Sequence, residues 1–129
     1  MYKELIITVI IITAIIIANI ITQNNTNSAA EEISKKLTNF REVILKEEVD
    51  NKKASQQFEE IESLWEGEYE KLAYYIEHDE LEKVETELTK LKADIEVKKY
   101  EMAIENLDNC MFILEHIKDK SALKIVNVF

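Results

Sequence analysis

Hydrophobic side chains are distributed in two very different ways along this chain. Residues 5–21 carry no charged side chain, and ten of these seventeen residues are isoleucine. A helix of a soluble protein shows a polar face, and this segment shows none. At 1.5 Å per residue it spans ~26 Å, close to the ~30 Å hydrocarbon core of a bilayer. Residues 5–22 are therefore predicted to cross a membrane.

The apolar segment is expected to stay attached as an uncleaved signal-anchor, residues 1–22. A signal peptide has a basic start and small residues before its cleavage site. Here the start is barely basic, and Ile16 occupies the −3 position of the best cleavage site, after Ala18. Because Lys3 is the nearest positive charge and positive charge marks the cytoplasmic side, the N-terminus is placed inside. The remainder would be extracytoplasmic, on a single pass of the cytoplasmic membrane.

Beyond the anchor, a polar linker is predicted at residues 23–29 and a helical domain at residues 30–120. Ser28 and Glu31 form a capping box, which predicts the start of a helix. Its apolar stripe has spacings of three and four residues and comprises Ala30, Ile33, Leu37, Phe40 and Ile44. The helix should end near Glu48, before the turn-forming Asp50 and Asn51.

A second helix is predicted from Asn51 to Glu77. Its stripe keeps the same phase on both sides of Gly67, which favours one long helix over a break at that glycine. A break at Gly67 is the alternative, since glycine often follows a helix end. The stripe comprises Phe58, Ile61, Trp65, Tyr69, Leu72 and Ile76.

A third helix should start with Asp79 as its N-cap and Glu82 at the capping-box position. A fourth stripe, from Tyr100 to Ile117, is out of phase with the third by ~90°, which predicts a turn within residues 96–99. A single bent helix is the alternative. Residues 121–129 are rich in β-branched side chains and are predicted to form an extended tail that packs on the bundle.

Composition narrows the fold class to all-α. One glycine and no proline cannot supply the turns of a β-fold. The predicted architecture is an N-terminal transmembrane helix followed by an antiparallel bundle of about four helices, arranged as two stacked helical hairpins.

The net charge of −10 is concentrated in one segment. Residues 59–87 hold twelve acidic side chains and two lysines, and an anionic protein repels nucleic acid. A solvated face is the ordinary explanation of such a charge run. The functional interpretation is an interaction surface that also uses the clustered aromatic residues, of which Trp65 and Tyr69 lie on the apolar stripe while Tyr74 and Tyr75 flank it. The candidate surface comprises Glu62, Trp65, Glu66, Tyr69, Glu70, Tyr74 and His78.

No catalytic, cofactor or metal site is predicted. The single cysteine, Cys110, lies on an apolar stripe and is interpreted as a small buried hydrophobe. A carboxylate-bridged metal bundle needs two Glu-x-x-His motifs, but Tyr75 and Ile113 stand three residues before the histidines. The chain is accordingly expected not to be an enzyme.

Several short motifs, in their order, resemble a family of small anchored proteins from spore-forming anaerobic bacteria, the domain-of-unknown-function family 4363. They are Phe58-Glu59-Glu60-Ile61 with Leu64-Trp65, Glu77-His78-Asp79-Glu80-Leu81, Leu88 with Leu91-Lys92, Leu114-Glu115-His116-Ile117 and Val126-Asn127-Val128-Phe129. The resemblance implies a helical extracytoplasmic domain on one anchor, with structural roles for His78 and His116 such as capping helix ends. It implies no catalytic residues.

The function predicted from these features is a protein-interaction or accessory module of a membrane or envelope complex. Its protein partner is not identified by the sequence. The alternative is a cation- or ligand-binding sensor domain that uses the acidic surface of residues 59–87.

Overall fold

The computed structural model describes residues 1–74 and 76–128, with side chains given through Lys120. These residues form four helices and no strand, which confirms the all-α prediction. In chain order the helices are α1 (Tyr2–Ile44), α2 (Asn51–Ala73), α3 (His78–Glu96) and α4 (Tyr100–Val128).

α1 unites the predicted anchor, linker and first bundle helix in one element of 43 residues. The predicted linker at 23–29 is helical, and Ser28 does not start a helix, because the preceding turns already provide partners for the amides that a cap would satisfy. Within the described residues, α1 is the one helix long and apolar enough to span a membrane, and none of its apolar window is buried. The hydroxyls of Thr8 and Thr13 donate to carbonyls one turn earlier at 2.8 Å, so these polar groups are satisfied within the helix.

α2 follows the sequence prediction at its start and continues through Gly67. Asp50 caps it, accepting bonds from the amides of Lys52 and Lys53 at 3.1 Å. α2 ends at Ala73, before the predicted Glu77. The predicted cap of α3 was wrong: Glu77 occupies the N-cap position, and its side chain pairs with Lys120 at 3.2 Å instead of capping the helix. Asp79 lies in the first turn, where its charge interacts favourably with the helix dipole.

The predicted turn between the last two helices is confirmed at residues 97–99. The amide of Lys98 donates to the carbonyl of Ile95, and the amide of Lys99 donates to that of Asp94. These two bonds form a Schellman motif, whose C′ residue adopts a left-handed conformation. That residue is Lys98, with φ of 60°, rather than the glycine that usually marks such an end.

Side-chain pairs fix an antiparallel register around a ring of four helices. The Phe40 and Phe58 rings lie 6.2 Å apart, joining α1 to α2, and the Asn106 amide donates to Asp94 at 2.5 Å, joining α4 to α3. Arg41 bonds Asp108 and closes the ring between α1 and α4. Each helix therefore contacts its two neighbours in the ring, as expected for two stacked hairpins.

The core runs the length of this ring and is made from the predicted stripes. It begins at Thr26, which is fully buried, so the bundle starts inside the segment predicted as a linker. The largest fully buried apolar side chains are Phe40, Ile33, Leu37, Ile61, Leu81, Leu91, Leu107, Leu114 and Val84. We call the end near Thr26, the 74–77 connection and Ile117 the anchor-proximal end.

The extended tail predicted for residues 121–129 was wrong over 121–128, where α4 continues as helix to Val128. No glycine or proline interrupts the stretch, so helix propagation from Tyr100 continues. The predicted packing of the tail's side chains, and Phe129, lie outside the described residues. The register of α1 and α4 brings residue 128 level with about residue 21.

Candidate functional site

Trp65 is a core residue rather than part of an accessible surface. Its side chain is 3% exposed and meets the Tyr69 ring edge-on, with centroids 5.8 Å apart. Its indole Nε1 donates to Oε1 of Glu85 at 3.4 Å, which ties α2 to α3. The buried position follows from its place on the apolar stripe.

The other predicted aromatic and histidine residues spread along the anchor-proximal half of α2 and the start of α3. Tyr69 is half-buried at the α2–α3 seam, whereas Tyr74 is 85% exposed beyond the end of α2. His78 is exposed as the first residue of α3. Tyr75 lies outside the described residues. Of the predicted surface residues that the structure describes, Tyr74 and His78 are therefore accessible, whereas Trp65 is buried.

Several exposed acidic residues, in contrast, lie along the α2–α3 contact. Glu59, Glu66 and Glu70 of α2 and Glu82 of α3 are exposed, and helical geometry places them on the sides that flank the α2–α3 contact. We call these four residues the acidic seam. Among the described residues, no lysine or arginine nitrogen lies within 4.0 Å of their carboxylates.

Glu62 differs from its neighbours because it is paired. Its Oε1 accepts from Lys92 Nζ at 3.4 Å across the same seam. This pair divides the seam, leaving Glu66, Glu70 and Glu82 uncompensated on its anchor-proximal side and Glu59 on the other side. Glu66 and Glu70, one turn apart, repel each other by a few tenths of a kcal/mol.

A buried carboxylate joins α3 to α4 near the same end. The Glu80 side chain is only 8% exposed, and its Oε1 lies 3.8 Å from the ammonium nitrogens of Lys83 and Lys120. His116 Nε2 lies 3.9 Å from the same oxygen. Oε2 of Glu80 is buried without a hydrogen-bond partner in the described structure.

Sequence reasoning missed this cluster and misplaced His116. His116 does not cap a helix end, because α4 continues to Val128. The Glu80–Lys83 spacing of three residues was a visible local signal. The contacts to α4 depend on the register of two helices, which no local pattern encodes.

One family model matches residues 20–128, and its description is Domain of unknown function (DUF4363). That range covers most of the chain. The protein belongs to the DUF4363 family. No curated protein and no solved structure matches it. The match starts at Ile20, so the DUF4363 region comprises the whole helical bundle together with the last residues of the apolar segment.

Cys110 of this DUF4363 chain is buried, as its place on the stripe predicted. Desolvation, with a smaller effect from the charge of Glu87, raises the pKa of the thiol to about 12. The thiol therefore stays protonated at neutral pH, whereas the nucleophilic form of cysteine is the thiolate.

The acidic segment does not converge on a metal site within residues 1–74 and 76–128. No group of three His, Cys, Asp or Glu side chains lies close enough there to hold a metal ion. The sensor alternative for residues 59–87 stays a prediction.

Proposed function

We propose that this DUF4363 protein is a non-catalytic docking module, held by one helix in the cytoplasmic membrane with its bundle outside the cytoplasm. The acidic seam would bind a basic segment of a protein partner in a membrane or envelope complex. The observation that carries this proposal is the set of four exposed carboxylates without a cation within 4.0 Å among the described residues.

Electrostatics favours the acidic seam over acidic side chains that are already paired within the chain. Carboxylates already paired within the chain, such as Glu62 with Lys92, have less attraction left for a partner. Those of the acidic seam keep theirs, and several like charges along one seam both steer a basic partner and fix its register. The four residues belong to two helices held together by the buried Trp65, so the seam is rigid before binding.

Photo-crosslinking in native membranes tests the docking surface. A photoreactive residue at Ser63, exposed beside the seam, should capture a partner, and the double substitution Glu66→Lys/Glu70→Lys should abolish that capture. The matched control is Glu101→Lys/Glu105→Lys, an exposed pair with the same spacing on α4, which should leave the crosslink intact. The captured peptide should be rich in lysine and arginine.

Two results would contradict the proposal. One is a crosslink at Ser63 that survives reversal of Glu66 and Glu70. The other is an equal loss in the α4 control, because the effect would then follow net charge rather than the seam.

The orientation is tested by labelling a Val97→Cys variant in intact cells with a membrane-impermeant maleimide. Val97 is exposed in the turn at the end of the bundle away from the anchor, and the buried native Cys110 should not react with the maleimide. Labelling without permeabilisation is expected. Labelling only after permeabilisation would place the bundle in the cytoplasm.

A further inference from the structure

A cavity of about 470 Å³ lies between α1 and α2 at the anchor-proximal end. Ala29 and Leu72 contribute its apolar, buried part. Its polar lining comprises Asn25, Ser28 and Glu32 of α1, together with Glu68, Lys71 and Tyr74. It is separate from the acidic seam, since it uses the opposite side of α2.

The charged groups around this cavity are not paired with one another. In the part of the chain that the structure describes, no carboxylate oxygen lies within 4.0 Å of the Lys71 ammonium. Glu32 and Glu68 likewise have no cation within that distance among the described residues. One ammonium and two carboxylates therefore line a common space without neutralising each other, an arrangement that suits a ligand with both signs of charge.

The position of the cavity along α1, just beyond the apolar segment, points to a membrane lipid as the source of such a ligand. Asn25 and Ser28 follow the last apolar residue, Ile21, by four and seven positions, or about 6 and 10 Å along the helix. The headgroup layer on each side of a bilayer is roughly 5–8 Å thick. The exposed Tyr74 ring beside the cavity is of the type enriched at this interface. The cavity thus opens at the level of lipid headgroups at its Asn25 end and extends above them toward Glu32, which lies about 16 Å beyond Ile21 along the helix.

We propose that this cavity binds the headgroup of a zwitterionic aminophospholipid, of the phosphoethanolamine type. Lys71 would contact the phosphate, while Glu32 and Glu68 would accept hydrogen bonds from the primary ammonium. A primary ammonium offers three N–H donors and the quaternary ammonium of choline offers none, so the carboxylates select between them. A headgroup with no ammonium, such as phosphatidylglycerol, carries only negative charge. The two carboxylates would repel it more than the single lysine attracts it, so its binding is disfavoured. This inference rests on the membrane anchoring proposed above, but not on the docking partner or the orientation.

Native mass spectrometry of the full chain, released from a mild detergent with equal amounts of phosphatidylethanolamine, phosphatidylcholine and phosphatidylglycerol, tests the proposal. We expect retention of the ethanolamine lipid about tenfold above either other lipid, which corresponds to about 1.4 kcal/mol. Lys71→Gln, and separately Glu32→Gln/Glu68→Gln, should remove most of this preference. The matched controls, Lys52→Gln on the same helix and Glu101→Gln on α4, should preserve it.

Three results would overturn the assignment. Equal retention of the three lipids would show that the ammonium is not recognised. An unchanged preference in the Lys71 and Glu32/Glu68 variants would place the lipid elsewhere. Displacement by an equal concentration of water-soluble glycerophosphoethanolamine would make the ligand a soluble phosphodiester rather than a membrane lipid.

Flotation of the same chain with vesicles separates failure of this site from failure of the anchor. A chain that floats but retains no ethanolamine lipid loses the cavity proposal alone, whereas a chain that does not float loses both.

Discussion

The burial of Trp65 leads to a prediction that separates its role in stability from a role in docking. Trp65→Ala should strongly destabilise the bundle, because it removes the largest side chain from the α2–α3 contact. A partner-binding tryptophan on the surface would behave in the opposite way, since its removal would leave the melting temperature unchanged and abolish binding.

The magnitude follows from the contacts. Truncation of a buried tryptophan to alanine costs about 3–5 kcal/mol, and the site is 3% exposed. That figure includes the edge-on contact with Tyr69, worth about 0.5–1.5 kcal/mol, and a long hydrogen bond to Glu85 at 3.4 Å. A bundle of this size loses about 4 °C in melting temperature per kcal/mol, so the expected decrease is about 12–20 °C.

The assay is thermal unfolding of the full chain in detergent, followed by far-ultraviolet circular dichroism. Trp65→Phe should cost less, because it keeps a ring in the core. Phe112→Ala is the control: Phe112 is also aromatic but 75% exposed, and its truncation should stay within about 0.5 kcal/mol of the parent. A Trp65→Ala variant that melts like the Phe112 control would refute the core assignment.

Three further predictions concern the backbone and the buried thiol. Gly67→Ala should raise the free energy of unfolding by about 0.8–1 kcal/mol, because an added Cβ meets nothing within 4 Å inside a helix; a loss in denaturant titration would contradict this. Lys98→Gly should stabilise by about 1 kcal/mol by relieving a left-handed φ of 60°, and an unchanged denaturation midpoint would show that this φ costs nothing. Burial raises the pKa of Cys110 from 9.0 to about 12, so its contribution to stability is complete below pH 9 and falls as pH rises toward 12. Cys110→Ala should show a correspondingly shallower alkaline decline, and equal slopes for the two chains would contradict the shift.

Features that depend on periodicity within one helix could be predicted from the sequence. The stripes around Phe40, Ile61 and Leu107 lie in the core, and the phase change after Ile95 does mark a turn. Each is a local property, because helical geometry alone decides which side chains share a face.

Two predictions made from local sequence motifs were wrong, because the neighbouring helix determines the conformation at both places. Ser28 and Glu31 have the spacing of a capping box, yet a helix that already runs through Ser28 needs no cap. The β-branched residues after Lys120 favour extended structure, but propagation of an existing helix costs less than starting a new conformation. Neither outcome is visible from composition.

Features that depend on the register between helices could not be predicted from the sequence. The charges around Glu80 come from α3 and α4, while the cavity beside Lys71 needs α1 and α2 at the correct height. The excess of acidic residues could be counted in the sequence. Which of them are paired, such as Glu62, and which are unpaired, such as Glu66, depends on where Lys92 lies in the folded bundle.

The unbroken α1 sets how far a partner must reach to contact the acidic seam. α1 runs without interruption from the apolar segment into the bundle, so in the proposed membrane-anchored arrangement the height of a residue above the hydrocarbon follows from its level on α1. The α1–α2 register places Glu70 level with about residue 27 and Glu59 level with about residue 38, or roughly 9 and 25 Å beyond Ile21. In that proposed arrangement, a basic segment bound to the acidic seam would lie within about five helical turns of the bilayer, which favours a partner that is itself held at the membrane surface.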